Sequence, residues 1–76
     1  MRDMKYRYAL LKTTFDSIDS FGIAVVCDCD DGAILIDTYS DISFDRERIA
    51  TLIEQCNLEE LDPIHLPYVV EDFLIS

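Results

Sequence analysis

The chain has 76 residues, half of them apolar, with two glycines and a net charge of −10. That length makes a single domain, which buries on folding only about 60% of the surface its unfolded chain exposes, and the apolar content excludes a disordered acidic tail. The charge excludes nucleic acid and anionic membranes as direct partners.

No uncharged apolar run is long enough to span a bilayer, and no apolar signal core follows Met1-Arg2-Asp3-Met4-Lys5. Three cysteines, an odd number, suit a reducing compartment better than a disulfide framework. The expected location is therefore cytoplasmic. Charge is also divided along the chain: residues 1–12 hold four of the six basic side chains and one of the sixteen acids, a balance of +3, which leaves −13 on residues 13–76.

Residues 4–15 and 21–29 are rich in Tyr, Val, Ile and Thr and read as strands, with Asp16-Ser17-Ile18-Asp19-Ser20 as the turn between them. Asp31-Gly32 then signals a hairpin, because a type I′ turn needs positive φ at both central residues. Pairing about that turn sets Cys29 opposite Ile34 and Cys27 opposite Ile36, and a third strand over residues 33–39 completes an antiparallel meander. Alternation places Ile23, Val25, Cys27, Cys29, Ile34 and Ile36 on one face, the expected core face, and a four-residue first loop adds Tyr8 and Leu10 to it. The same register sets Arg7 opposite Asp28 on the other face, a cross-strand ion pair worth about 0.2–1 kcal/mol.

From residue 43 the apolar period becomes helical. Ser43 reads as the N-cap, Asp45 and Glu47 as first-turn acids, and Ile49, Leu52, Ile53 and Cys56 as the buried stripe, with Asn57 as a left-handed stop. Asp62-Pro63 signals a second helix, carried by Leu66, Val69, Val70 and Phe73. Pro67 leaves two starts open: a helix from residue 63, or a separate turn over 63–66 with the regular helix beginning near 67. The order β-β-β-α-α implies an α+β fold, a three-stranded antiparallel meander with both helices on one face.

That arrangement leaves Ala24, Val26, Leu35 and Tyr39 on the open face of the sheet, edged by Asp28, Asp37 and Arg7. An apolar patch with a charged rim suits association, including homodimerisation, although single apolar residues on a surface are also ordinary. Cys27, Cys29, Cys56 and His65 have the composition of a Cys₃His zinc site, but Cys-x-Cys within a strand does not free the backbone to wrap a metal. The cysteines therefore read as core residues, no metal or other cofactor is expected, and His65 reads as a brace for the turn into the second helix.

A Cys56–His65 nucleophile and base would stand in a negative field that disfavours the thiolate. Asp28-Cys29-Asp30-Asp31-Gly32 fails as a calcium loop, since anchoring Gly32 at loop position 6 puts cysteines where acids are required. Two isolated glycines cannot form a phosphate loop, and no nucleophile motif is present. No enzymatic activity is expected. Lys5, Arg7 and Lys12 read as local neutralisation of the acidic sheet.

The residues Asp41-Ile42-Ser43, Leu52, Cys56-Asn57-Leu58, Leu61-Asp62-Pro63-Ile64-His65-Leu66 and Val69-Val70-Glu71-Asp72-Phe73-Leu74 carry a resemblance to a family of short uncharacterised proteins from Gram-positive anaerobic bacteria and their mobile elements. It covers about half the chain. Pro67 departs from it, standing where a polar helix former is more usual. The resemblance implies sheet-plus-helices architecture and a bacterial or mobile-element origin, and it supplies neither an activity nor a catalytic residue.

Two readings of the acids stand side by side. In one they only solubilise a small apolar-rich protein. In the other, Asp28, Asp30, Asp31, Asp37 and Asp41, with Glu54, Glu59, Glu60, Glu71 and Asp72, present carboxylates to a basic protein partner, in the most concrete case a nucleic-acid-binding enzyme inhibited by a mimic of its substrate, as by an anti-restriction or anti-CRISPR protein. The alternative function is a dimeric regulatory module associating through Ala24, Val26, Leu35 and Tyr39.

Overall fold

The computed structural model describes residues 5–75, and the expected first position of the first strand, residue 4, lies outside them. Three strands, β1 (Lys5–Phe15), β2 (Ile18–Cys29) and β3 (Gly32–Ser43), form one antiparallel sheet in the order β1-β2-β3. Helix α1 (Arg46–Leu58), one 3₁₀ turn (Pro63–His65) and helix α2 (Leu66–Ile75) follow. The expected β-β-β-α-α order and α+β class are those observed.

The first hairpin is tighter than the composition of its turn suggests, and the second has its two-residue turn one position earlier than expected. Asp16 and Ser17 alone connect β1 to β2, with φ of 53° and 66°, so the I′-like turn falls here, and β2 begins at Ile18 instead of 21. Positive φ at both central residues matches the right-handed twist of long strands. The register accordingly slips by two residues from the expected one: Lys5 stands opposite Asp28, and Arg7 opposite Val26. A slip of two preserves face parity, so Tyr8 and Leu10 still face Val25 and Ile23.

At the second hairpin the turn residues are Asp30 and Asp31, not Asp31-Gly32, and Cys29 pairs with Gly32, Cys27 with Ile34. Only Gly32 takes positive φ there, 123°, so the glycine follows the two turn residues and does not lie between them. The third strand also runs on to Ser43, past the expected end at 39.

Two irregularities in β3 overturn part of the expected face assignment. The register shifts between Val25 and Val26, where Ile36 is the extra residue, and again between Phe21 and Ile23. Because a bulge reverses side-chain alternation beyond it, Tyr39 comes opposite the fully buried Ile23 and packs against the core, instead of lying on the open face. Ile34 and Ile36, expected inside, are 55% and 47% exposed, since the helices lie chiefly over β1 and β2. Gly22 permits the second irregularity. A Cβ at this position would collide with the Tyr39 carbonyl oxygen.

The core lies between one sheet face and the helices. Tyr8, Phe21, Ile23 and Val25 meet Ile49, Ile53 and Cys56 of α1 and Leu66 and Val70 of α2. Complete burial of Ile23, Val25, Ile49 and Leu66 is worth roughly 1.5–3 kcal/mol each. The N-cap of α1 is Asp45 instead of Ser43: its Oδ1 accepts from the Glu47 and Arg48 N–H groups at 3.1 and 3.2 Å, while Ser43 Oγ accepts from the Asp45 N–H at 3.0 Å.

Helix α1 passes through Asn57 and ends at Leu58, with the left-handed residue at Glu60, φ 49°. The Glu60 N–H donates to the Asn57 carbonyl at 3.2 Å and the Leu61 N–H to the Cys56 carbonyl at 3.0 Å, a Schellman ending. Of the two starts left open for the second helix, the separate turn is the one observed. Asp62 caps the 3₁₀ turn, Pro63 opens it, and α2 starts at Leu66, so Pro67 sits in a first turn whose N–H groups need no helical acceptor.

Candidate functional site

The sheet's basic amino-terminal strand makes two ion pairs with β2. Arg7 Nε donates to Asp28 Oδ2 at 2.9 Å, reaching it diagonally from the position opposite Val26, and Lys12 Nζ stands 3.7 Å from Asp19 Oδ2. All four side chains are about half exposed, so each pair contributes at most about 1 kcal/mol. Asp28 is thereby neutralised.

The other acids singled out from sequence are exposed and spread over the molecule: Asp30 and Asp31 at the second turn, Asp37 and Asp41 on β3, Glu54, Glu59 and Glu60 on α1 and its end, Glu71 and Asp72 on α2. Asp37 accepts from the Thr38 N–H at 2.8 Å and Glu59 from Gln55 Nε2 at 2.9 Å. Asp31, Asp41, Glu54, Glu60, Glu71 and Asp72 form no ion pair among the described residues.

The four thiol and imidazole candidates are not brought together. Cys27 and Cys56 are buried in the core, Cys29 Sγ donates to the Gly32 carbonyl at 3.1 Å, and His65 is exposed. No group of three or more His, Cys, Asp or Glu side chains among the described residues could hold a metal ion. Burial, reinforced by the Glu59 carboxylate, pushes the Cys56 thiol above its ordinary range, opposite to what a nucleophile requires. The turn into α2 is braced by the His65 backbone N–H on the Asp62 carbonyl at 2.9 Å, not by the imidazole.

On the helix-free face, Ala24 and Val26 are half-buried and Leu35 is 60% exposed, while Tyr39 has left for the core. The expected apolar association face is thus smaller than its four residues suggest. A larger apolar feature lies beyond it, where the β1–β2 hairpin tip meets the junction of β3 and α1. Phe15 and Ile18, the last pair of the hairpin, stand with Ile42 and Phe44 around a groove of about 540 Å³, with Ser20 and Asp41 in its lining. Phe15 is 82% exposed and Phe44 74%. Sequence reasoning passed over these residues because Ile18 lay within apparent turn chemistry and Phe44 within a helix start. The available signal was an aromatic or aliphatic residue in each of two polar junctions.

A polar node at the β1 edge of the sheet was also missed. Asn57 Oδ1 accepts from the Tyr8 N–H at 2.8 Å and Asn57 Nδ2 donates to the Tyr8 carbonyl at 3.0 Å, while the Tyr8 hydroxyl donates to the Leu61 carbonyl. Burial, with smaller contributions from Cys56 and Asp62, pushes the Tyr8 hydroxyl up to about 12, so it remains a donor at neutral pH.

No helix among the described residues is long and apolar enough to cross a membrane. Neither the curated proteins nor the solved structures yield a significant match to the chain. A family match does extend over residues 1–76: the chain belongs to a family of unknown function (DUF6514).

Proposed function

We propose that the chain is a small non-enzymatic binding protein that engages a basic partner surface through its exposed carboxylates, most concretely as an inhibitor that mimics the phosphate backbone in a nucleic-acid-binding enzyme. The observation that carries this reading is that six of the singled-out acids are both exposed and without an ion pair among the described residues. Carboxylates committed to internal pairs would have little field left for a partner.

Purified nucleases of restriction and CRISPR type, titrated with the protein at low and at high salt, test it. Binding that weakens steeply as salt rises is the expected result, and binding indifferent to ionic strength overturns it. A second reading, a dimer through Ala24, Val26 and Leu35, draws on the exposure of Leu35. It requires two chains, each of net charge −10, to meet, and predicts dimers in sedimentation that Leu35→Ser abolishes.

A further inference from the structure

We infer that the groove at the hairpin tip docks a basic polypeptide segment of the partner through apolar anchors, with Phe15 and Phe44 as its walls; this rests on the reading of the chain as a binder of basic surfaces.

The groove has the dimensions of a site for one or two side chains, about 540 Å³, and three of its large apolar lining residues, Phe15, Ile18 and Phe44, are not used by the core. Ile42 joins it to the core, being half-buried and packed against the core cluster while lining the groove. Its lining carries one carboxylate, Asp41, and Asp16 follows Phe15 directly in the chain; both are exposed and without an ion pair among the described residues. The nearest cation in sequence on the hairpin, Lys12, is engaged by Asp19 at 3.7 Å.

Charge selects the occupant. A second copy would bring another net charge of −10 and its own Asp16 and Asp41 to the same place, and nucleic acid is repelled for the same reason. A segment with Lys or Arg beside Leu or Phe satisfies both parts: the apolar side chains desolvate the phenylalanine walls, and the cations meet Asp41 and the negative field of the chain.

Two short synthetic peptides of equal charge test the inference, one alternating lysine with leucine and phenylalanine, the other with serine in place of each apolar residue. Fluorescence anisotropy measures their affinity for the full chain, and amide NMR shifts locate the contact. The apolar-bearing peptide is expected to bind roughly tenfold tighter, with shifts centred on Phe15, Ile18, Ile42 and Phe44. The variant Phe15→Ser/Phe44→Ser should lose that advantage and keep its affinity for the serine peptide. Both side chains are exposed, so the variant keeps the core, which circular dichroism checks.

Equal affinity of the two peptides for the natural chain overturns the groove while leaving the basic-partner reading intact. Failure of both to bind at low salt overturns both readings. Self-association that Phe44→Ser abolishes assigns the groove to a second copy and overturns the inference.

Discussion

At the residue scale, the Tyr8–Asn57 node shows how one side chain can complete a piece of secondary structure. The N–H and C=O of Tyr8 point away from β2 at the outer edge of the sheet, where no further strand follows among the described residues. Asn57 offers an amide with the same donor and acceptor as a backbone peptide and bonds both groups, while the Tyr8 ring enters the core. Tyr8→Phe should keep the ring packing but leave the Leu61 carbonyl without its donor, at a cost of about 1–2 kcal/mol measured by urea unfolding.

Alkaline titration gives an independent signature. Because the hydroxyl is pushed from 10.0 up to about 12, the folded state favours the protonated form; its contribution is complete below pH 10 and is lost as pH rises through about 12. That loss should amount to roughly 2–3 kcal/mol, and unfolding midpoints of Tyr8→Phe should lack this part of the decline.

At the element scale, existence and order of strands and helices were legible because they follow from apolar period and cap chemistry, which are local. Ile49, Ile53 and Cys56 occupy the buried stripe read from their spacing, and Asp62-Pro63 opens the segment it signalled. Register was less legible, because backbone angles at single residues decide it. Asp16 and Ser17 both go left-handed, while Asp30 and Asp31 leave that conformation to Gly32. Composition alone does not separate these outcomes. Ser17→Gly should stabilise the fold by about 0.5–1 kcal/mol, the left-handed penalty of about 1–2 less the added unfolded-state entropy of about 0.4–1, read as a higher urea midpoint at unchanged slope.

The bulges were hidden for a related reason: nothing in β3 marks the one at Ile36, and the second is marked only by the left-handed backbone of Asp41, φ 56°, and, across the sheet, by Gly22, whose missing side chain lets β3 approach at Tyr39 and Ser40. Gly22→Ala should therefore cost about 1–3 kcal/mol, because backbone and not a flexible side chain must give way, and tyrosine fluorescence should report the displacement of Tyr39 alongside the lowered thermal midpoint.

At the scale of the whole molecule, the strands are longer than the helices can cover. The chain extends 44 × 26 × 17 Å, and strands of 11 and 12 residues reach beyond helices of 13 and 10 residues, whose rise per residue is about half as large. The overhang creates the exposed Phe15–Ile18 tip, while the isoleucines of β3 stay uncovered because the helices lie chiefly over β1 and β2. Neither could be placed from sequence, since each depends on where the helices lie. The charge also acts on the molecule as a whole. Mutual repulsion of the acids opposes folding, so added salt should raise the melting temperature, by about 4–8 °C for each kcal/mol of repulsion screened, while weakening any complex with a basic protein.

The amide of Asn57 has a further consequence for the way the sheet can grow. With its bonds to Tyr8, α1 stands against the β1 margin as a terminator, much as a capped end stops a polymer. Strand addition along β1 is opposed at this point, and β3 is the freer margin. A sheet that adds strands chiefly at one margin closes in pairs more readily than it propagates, so enforced association at high concentration should favour dimers over fibres in electron micrographs and sedimentation, and Asn57→Ala should favour growth on the second side.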